Sequence, residues 1–239
     1  MKTVLVTGGG GAIGAAICRR FSKTHHVLVA DKNRGAAERV ANEVGGTALV
    51  FDISKYAEAA QAIQGKTIDV LVNNAGWDRF QNFVDTKPEE WDALIEINLR
   101  GPLNLHHLVV PQMLARGSGR VINISSDAAR VGSSGEAVYS ACKGGIIAFS
   151  KTLAREVARQ GITVNVVCPG PTDTPILRGF LGEGEAGKKV YDALVRAIPM
   201  KRVGQPDDIP GIVAFLASDE AGFVTGQVIS VSGGLTMAG

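Results

Sequence analysis

The chain has 239 residues, 45% of them hydrophobic and 20% charged, which suits one globular domain that needs no disulfide or metal staple. The 25 basic and 23 acidic side chains leave a net charge of +2, which argues against a nucleic-acid or membrane-surface partner. Three cysteines without C-x-x-C spacing, and the lack of a signal-like start or a long apolar stretch, lead us to expect a cytoplasmic location.

Apolar runs alternate with helical patterns along the chain. Strands are predicted, in chain order, at Thr3–Thr7, His26–Asp31, Thr47–Phe51, Ile68–Asn73, Arg120–Ser125, Ile162–Cys168 and Gln227–Val231. Helices are predicted between them at Ala12–Phe21, Arg34–Val44, Lys55–Gln64, Glu89–Met113, Ala137–Arg159 and Pro206–Ala217. Continuous apolar strands are typical of a parallel sheet buried on both faces. We therefore predict one α/β domain over residues 1–239, a Rossmann-type doubly wound parallel sheet of seven strands with helices on both faces.

One segment, from Thr172 to about Val203, interrupts this alternation. It is long, rich in glycine and charge, and helical in pattern only at Lys188–Ala197. Long excursions in compact domains usually form lids or binding loops, so we predict a substrate-binding insertion. A decorative insertion without function is the alternative.

A glycine-rich turn follows the first strand and opens the first helix, with the sequence Thr7-Gly8-Gly9-Gly10-Gly11-Ala12-Ile13-Gly14. Glycines let the backbone approach a pyrophosphate, and the helix N-terminus offers free N–H groups. The G-x-G-x-x-G match is weak alone, but the strand–turn–helix context supports it. We predict a dinucleotide site with contacts from Gly8, Gly10, Gly11, Ala12 and Ile13.

The second strand ends in Asp31. A carboxylate at this strand tip can accept hydrogen bonds from both adenosine ribose hydroxyls and would repel a 2′-phosphate, so NAD is the predicted cofactor. Lys32 and Arg34 lie just beyond and could tolerate the phosphate, but the acidic group occupies the position to which the rule applies.

Two further strand tips complete the predicted cofactor site. Asp52, followed by Ile53, could hold the adenine amino group or cap the helix after Ser54. The fourth strand runs into Asn74-Ala75-Gly76, where an amide could brace the sheet or touch the cofactor and small residues leave room for it.

The strongest chemical signal is Tyr139 with Lys143, because a spacing of four places both side chains on one helix face. A tyrosine has an ordinary pKa near 10, and a nearby ammonium favours its anion. Lowering that pKa by about two or three units would need roughly 3–4 kcal/mol. Ser126 ends the fifth strand, so the carboxyl edge of the sheet collects the cofactor site, the serine, the tyrosine and the lysine.

Taken together, these motifs resemble the classical short-chain dehydrogenase/reductase family over essentially the whole chain. The matching elements are Thr7–Gly14, Asn73–Gly76, Asn98 in Ile97-Asn98-Leu99, Ser126, Tyr139-x-x-x-Lys143, and Pro169-Gly170 with Thr172 and Thr174. The resemblance also implies what the matched residues do.

Tyr139 would exchange the hydroxyl proton and also contact the cofactor, and Ser126 would hydrogen-bond the substrate oxygen. Lys143 would lower the tyrosine pKa and bind the nicotinamide ribose. Asn98 would hold a proton-relaying water, and Pro169, Gly170, Thr172 and Thr174 would cradle the cofactor.

Two positions depart from the usual pattern. Ala12 stands where many members have glycine, and its small side chain should be tolerated. Asp127 follows the serine, where a small or apolar residue is more usual, and it could either pair with Arg130 or shape the substrate pocket. The resemblance also suggests a homotetramer built on the long helices, and no metal site is expected because nothing matches structural zinc spacing.

The substrate is less defined than the reaction. The stretches Asn74–Asp78 and Gly132–Tyr139 look most similar to members that act on hydroxyacyl-CoA thioesters, including cyclic 2-hydroxyacyl-CoA. Five basic residues near the variable segment could meet a nucleotide phosphate: Lys188, Lys189, Arg196, Lys201 and Arg202. Small polyols or ketones are the alternative substrates.

We therefore predict an NAD(H)-dependent oxidoreductase that interconverts a secondary alcohol and a ketone, in which the cofactor transfers hydride and the protein orients it. The first alternative is a 3-oxoacyl thioester reductase, an enzyme class that usually takes NADP. A non-catalytic NAD-binding sensor or scaffold and an S-adenosylmethionine methyltransferase are disfavoured, because neither needs a Tyr–Lys pair.

Overall fold

The computed structural model describes residues 1–182 and 184–238 and contains a seven-stranded sheet in the order β3-β2-β1-β4-β5-β6-β7. The strands are β1 Thr3–Thr7, β2 His26–Asp31, β3 Thr47–Val50, β4 Val70–Asn73, β5 Gly119–Ile124, β6 Ile162–Pro169 and β7 Val228–Val231. Each neighbouring pair is parallel. The predicted fold class is confirmed, and the predicted strand limits differ from the observed ones by no more than two residues at either end.

Ten helices connect the strands within the described ranges. They are α1 Ala12–Phe21, α2 Arg34–Val44, α3 Tyr56–Ile63, α4 Pro88–Ile95, α5 Gly101–Arg116, α6 Ala128–Val131, α7 Ala137–Val157, α8 Pro175–Leu181, α9 Gly184–Ala197 and α10 Pro210–Ala217. None of the helices in this part of the chain has both the length and the apolar character that a membrane crossing requires.

Alternating side chains of the buried strands divide the core into two layers. On β1, Val4 and Val6 pack with α1, α2 and α10, whereas Leu5 between them packs with α3, α5 and α7. Successive side chains of a strand point to opposite faces, and here both faces are covered by helices. This is why the strands read as continuous apolar runs.

The predicted helix Glu89–Met113 is not uniform. It runs through α4, a π-helical turn at Glu96–Arg100 and α5, with helical backbone angles at both junctions. A π turn inserts an extra residue into the helical repeat and is frequent at functional sites. Here it carries Asn98, which is fully buried.

The division between the two halves of the sheet lies between β1 and β4, which are neighbours although two strands separate them in the chain. The crossovers leave in opposite directions from this point, so a crevice opens beyond the carboxyl ends of the strands. The segment from Thr172 to Val203 lies over this edge and contains α8 and α9, so its helical content is greater than the sequence pattern predicted.

Candidate active site

A cleft of about 780 Å³ opens at the carboxyl edge of the sheet. Most of the predicted site residues line it: Gly8, Gly11, Ala12, Ile13, Asp31, Asp52, Ile53, Asn74, Ala75, Gly76, Ser126, Tyr139, Lys143, Pro169, Gly170, Thr172 and Thr174. Gly10 and Asn98 are not part of its wall. The tertiary structure thus brings seventeen predicted residues from distant parts of the chain to one surface.

The glycine turn is packed too tightly for larger residues. Gly8 has a φ of +62°, in the left-handed region that favours glycine. A Cβ on Gly14 would lie 2.1 Å from the Gly8 carbonyl oxygen. Asn74 holds the turn, since its Nδ2 donates to the carbonyl oxygens of Thr7 at 3.0 Å and Gly8 at 3.2 Å. The turn is therefore a backbone cradle that only glycine can form.

Helix α1 begins directly at this cradle. Gly11 is its N-cap, and the first intrahelical bond runs from the Ala15 N–H to the Gly11 carbonyl at 2.8 Å. The N–H groups of the first turn, including those of Ala12 and Ile13, have no partner within the helix, and these residues line the cleft. Free N–H groups and the positive helix end suit an anionic pyrophosphate. The alanine at position 12 fits as the first residue of the helix.

Asp31 lies at the tip of β2 with both carboxylate oxygens held by backbone. The Gly10 N–H donates to Oδ2 at 3.1 Å and the Asn33 N–H to Oδ1 at 2.9 Å. Gly10 thus positions Asp31 and does not line the cleft. Each oxygen still has a free lone pair, so the carboxylate can accept ribose hydroxyls. Arg39 lies close by, with its Nη2 donating to the Gly10 carbonyl at 3.2 Å.

Asp52 is not the cap of the following helix, which corrects one of the two sequence interpretations. Its Oδ1 accepts from the Ser54 N–H at 2.9 Å, and α3 has Lys55 at its N-cap position. The carboxylate folds back on its own loop because the chain makes a further turn before α3 begins. Asp52 and Ile53 remain in the cleft wall.

The wall opposite the glycine turn follows β6. Thr172 Oγ1 donates to the Gly170 carbonyl at 2.9 Å, and Thr174 Oγ1 accepts from the Leu177 N–H at 3.3 Å as the N-cap of α8. A Cβ on Gly170 would lie 2.8 Å from the Ser232 Cβ, so the backbone here is closely packed. These contacts explain why a threonine starts the helix that covers the cleft.

Lys143 projects from α7 into the cleft and is only 3% exposed. Its Nζ donates to the Ile124 carbonyl at 3.0 Å and lies 5.7 Å from the centre of the Tyr139 ring. Ser125 Oγ donates to the Lys143 carbonyl at 2.9 Å and fixes this part of the helix to the tip of β5. Burial lowers the pKa of Lys143 to about 8.

Tyr139 and Ser126 meet beside this lysine. Burial raises the pKa of Tyr139, as does the negative charge of Asp78, while a hydrogen bond with Ser126 acts in the opposite direction. The net pKa of Tyr139 is therefore raised, not lowered as the presence of Lys143 led us to expect. The physical reason is desolvation of the phenol together with the nearby carboxylate, while the ammonium is bonded to a backbone carbonyl.

Asn98 hydrogen-bonds the loop after β4, which forms part of the cleft wall. Its Nδ2 donates to the carbonyls of Trp77 at 2.7 Å and Leu94 at 3.0 Å, and its Oδ1 accepts from the Trp77 N–H at 3.2 Å. A Cβ on Gly76 would lie 3.0 Å from Asn98 Oδ1 and 3.2 Å from Lys143 Nζ. Asn98 and Lys143 therefore converge behind Gly76, although Asn98 is set back from the cleft.

Asp127 lines the pocket and is also connected to Arg130, so it has features of both roles considered from the sequence. It lines the cleft, and its Oδ1 accepts from the Ser230 hydroxyl, which in turn accepts from Arg130 Nη1 at 2.8 Å. Asp127 and Arg130 are thus joined through Ser230 and form no direct ion pair among the residues described. Arg130 also donates to the Ala238 carbonyl, so this network attaches the end of the described chain to the cleft.

The mouth of the cleft is aromatic. Trp77 lines it and is 38% exposed, and the Phe80 and Phe180 rings pack with centroids 4.0 Å apart. Phe180 belongs to α8, so this contact joins the variable segment to the loop after β4. The five basic residues that could meet a nucleotide phosphate (Lys188, Lys189, Arg196, Lys201 and Arg202) are exposed and lie outside the cleft wall, and Arg202 is paired with Asp208 at 2.5 Å.

Sequence analysis missed several residues of the site. Thr7 Oγ1 accepts from the N–H groups of Asn74 at 3.0 Å and Ala75 at 3.1 Å and so joins β1 to the loop after β4. Asp78 and Glu136 both line the cleft but were not assigned to it. Both lie within the stretches Asn74–Asp78 and Gly132–Tyr139 that resemble enzymes acting on hydroxyacyl-CoA, so the sequence carried a signal for them although neither received a role.

Comparison with known proteins agrees with this geometry. A family model described as enoyl-(acyl carrier protein) reductase matches residues 10–236. The chain is 40% identical over 240 residues to acetoacetyl-CoA reductase of Shinella zoogloeoides, covering 98% of both chains. It is 36% identical to a 3-oxoacyl-[acyl-carrier-protein] reductase of Thermotoga maritima, covering 99% of this chain and 98% of the relative.

A solved 3-oxoacyl-[acyl-carrier protein] reductase from Brucella melitensis with bound NAD has a TM-score of 0.91 at 32% identity, covering 99% of this chain and 92% of that one. The chain belongs to the classical short-chain dehydrogenase/reductase family. It is accordingly an oxidoreductase with a site for a nicotinamide dinucleotide. Within the described residues, no group of three or more His, Cys, Asp or Glu side chains could hold a metal ion.

Proposed function

We propose that the protein is an NAD(H)-dependent oxidoreductase that interconverts β-oxoacyl and β-hydroxyacyl thioesters. The observation that carries the proposal is the convergence of Ser126, Tyr139 and Lys143 in the same cleft as the glycine cradle and Asp31. A non-catalytic sensor would need the cradle but not a buried tyrosine beside a serine and a lysine.

The relatives favour the thioester class over an unspecified secondary alcohol, and so support the 3-oxoacyl reductase alternative for the substrate. In acetoacetyl-CoA the reacting ketone is β to the thioester carbonyl. A cyclic 2-hydroxyacyl-CoA, with its hydroxyl on the ring carbon next to the one that bears the thioester, belongs to the same chemical class. The aromatic mouth formed by Trp77, Phe80 and Phe180 offers an apolar surface for the acyl part of either substrate.

When bound, NADH supplies the hydride and NAD accepts it in the reverse direction. Ser126 and Tyr139 hold the ketone oxygen, and Tyr139 gives its proton to that oxygen as the alcohol forms. The raised pKa keeps the phenol protonated at neutral pH, which is the form required for reduction. Lys143, with a pKa of about 8, is largely cationic at neutral pH and can return a proton to the tyrosine side.

The role of Asn98 and the cofactor contacts are proposed from the same geometry. Asn98 holds the Trp77 backbone beside Lys143 and would keep the path for protons behind Gly76 open. The cradle and the α1 N-terminus would hold the pyrophosphate, Asp52 and Ile53 the adenine, and the loop from Pro169 to Thr174 the nicotinamide. We propose these roles for the residues placed in the cofactor site from the sequence, with Gly10 acting through Asp31.

NAD is proposed in preference to NADP because of Asp31. Its carboxylate is fixed by two backbone N–H groups at the tip of β2, where a 2′-phosphate would have to displace or neutralise it. Lys32 and Arg39 lie close by, but no side chain among the described residues forms a salt bridge with this carboxylate. A cytoplasmic location and a homotetramer remain predictions.

The test is a matched set of binding and activity measurements. The dissociation constants of NADH and NADPH are measured by nicotinamide fluorescence for the wild type, Asp31→Ala and the control Asp192→Ala, an exposed acidic residue on α9. Reduction of acetoacetyl-CoA is then followed with the preferred cofactor. We expect tight NADH and weak NADPH, with discrimination reduced at least about tenfold only in Asp31→Ala. Preference for NADPH in the wild type would contradict the cofactor, and no reduction of acetoacetyl-CoA would contradict the substrate class.

A further inference from the structure

Two acidic side chains face the cleft and have no part in the proposed reaction. Asp78 lies in the loop after β4, directly beyond Trp77, and Glu136 immediately precedes α7. Glu136 is the N-cap of α7, three residues before Tyr139, and its charge acts on the Tyr139 phenol. We call Asp78 and Glu136 the carboxyl pair.

The oxygens of Asp78 have unequal surroundings. Oδ1 accepts from the Arg79 N–H at 2.7 Å. Oδ2 is buried, and no N–H or O–H group of the described residues donates to it. The side chain within hydrogen-bonding reach is Glu136, itself a carboxyl group. Two carboxylates this close cannot both ionise cheaply, and a proton held by Asp78 would satisfy Oδ2. Burial and Glu136 raise the pKa of Asp78 to about 7.

The two nearby arginines do not pair with these carboxyl groups. The Arg79 guanidinium is engaged by Glu90 at 2.8 Å, and on α8 Arg178 is engaged by Asp173 at 2.7 Å. Lys143 is the cation that faces Asp78 from α7, and its Nζ is bonded to a backbone carbonyl. Tyr139, also on α7, stays neutral. Burial and Glu136 outweigh this cation, since the pKa of Asp78 is raised and not lowered.

We propose that the carboxyl pair is a specificity-determining element that binds the neutral thioester carbonyl of the substrate and excludes free β-oxo acids. The inference rests on the proposed function. With the ketone oxygen held by Ser126 and Tyr139, the second carbonyl of a β-oxoacyl thioester is only two bonds away from the reacting carbon. That carbonyl can accept a hydrogen bond from the protonated carboxyl group in place of its neighbour, whereas the carboxylate of a free acid meets a like charge.

The test compares two small ketones that differ in this charge, ethyl acetoacetate and acetoacetate. Values of kcat/KM are measured with NADH at pH 6.5 for the wild type and for the double variant Asp78→Asn/Glu136→Gln. Amides of the same shape keep hydrogen-bonding groups and remove the charge. The control is Asp85→Asn/Glu89→Gln, which changes two exposed acidic residues of the neighbouring segment. Because the ratio of the two values is compared, a general loss of kcat through Tyr139 cancels.

We expect the wild type and the control to prefer the ester, and the ratio to fall at least about tenfold in the double variant. An unchanged ratio in a variant that still reduces the ester would overturn the proposal, as would a wild type that reduces acetoacetate as well as the ester. Acetoacetyl-CoA is assayed in parallel. Failure with acetoacetyl-CoA but success with the ester removes the proposed function alone, while failure with both ketones overturns the charge filter as well.

Discussion

The two ends of the cleft are built by different means. At the cofactor end, the binding surface is formed mainly by backbone groups and strand tips. These are the glycine turn, the start of α1 and the carboxylate of Asp31, which is held by backbone N–H groups. At the substrate end, side chains from separate loops meet, as in the Phe80–Phe180 contact and the carboxyl pair. The shape of the cofactor end is set by residues close together in the chain. The shape of the substrate end depends on how segments far apart in the chain pack together.

This difference has a consequence for mutation. A change in the cofactor end should alter stability and binding together, because the backbone that binds also packs the sheet. A change in the substrate end should alter selectivity or KM with little effect on stability, because exposed aromatic and polar side chains make few core contacts. The catalytic group lies between the two ends and should affect kcat alone.

The largest effect on activity is expected from Tyr139→Phe, since Tyr139 lies between the two ends of the cleft. Loss of the phenolic proton donor should lower kcat by roughly 10²–10⁴-fold, since this is the range for general acid catalysis. NADH affinity should change little. Steady-state kinetics and fluorescence titration measure both quantities, with Tyr191→Phe, a partly exposed tyrosine on α9, as the control. Retention of wild-type kcat would remove Tyr139 from the mechanism.

The second effect concerns Lys143 and pH. Its pKa is lowered from 10.5 to about 8 by burial, so the folded protein releases this proton before the unfolded chain does. The unfolded chain binds the extra proton between these values, and stability therefore rises with pH across this window. Relative to Lys143→Met, the wild-type free energy of unfolding should increase by about 3 kcal/mol between pH 8 and 10.5.

Denaturant unfolding at a series of pH values measures that difference. Lys151→Met, which removes an exposed lysine from the same helix, is the control and should give a flat difference. A flat difference for Lys143 as well would mean that its ammonium is not buried as the structure indicates.

The third effect is the change in stability when a glycine of the cofactor end, rather than a glycine elsewhere, is replaced by alanine. Gly14→Ala places a Cβ 2.1 Å from the Gly8 carbonyl oxygen and should cost about 1–3 kcal/mol of stability while weakening NADH binding. Gly211→Ala in α10 meets nothing within 4 Å and should instead stabilise by about 0.4–1 kcal/mol. Thermal unfolding and NADH titration measure the stability and the NADH affinity of both variants. Equal changes in the two variants would contradict the prediction.

The smallest effect is expected at the mouth. Phe180→Ala removes the ring that packs on Phe80, a contact of about 0.5–1.5 kcal/mol. We expect a several-fold higher KM for acetoacetyl-CoA with nearly unchanged kcat and melting temperature. Phe223→Ala, which removes a fully exposed ring, is the control. A loss of stability without a change in KM would show that the contact supports the fold and not the substrate.

Much of the molecule could be predicted because its signals are local. The apolar strands, the Gly8–Gly14 turn and the Tyr139–Lys143 spacing each follow from neighbouring residues, and parallel strand tips must share one edge. The direction of the tyrosine pKa could not be predicted, since it depends on burial and on Asp78, which is 61 positions away. The π turn that buries Asn98 was also not evident from helical periodicity.

The sequence by itself determined the fold, the family and the cofactor cradle, because periodicity and glycine spacing constrain the backbone over a few residues. Only the tertiary structure decided what surrounds the reacting groups. It joined Asp78 to Glu136, linked Asp127 to Arg130 through Ser230, and bonded Lys143 to the Ile124 carbonyl. Desolvation and charge coupling depend on distances between segments far apart in the chain, and sequence spacing alone does not specify those distances.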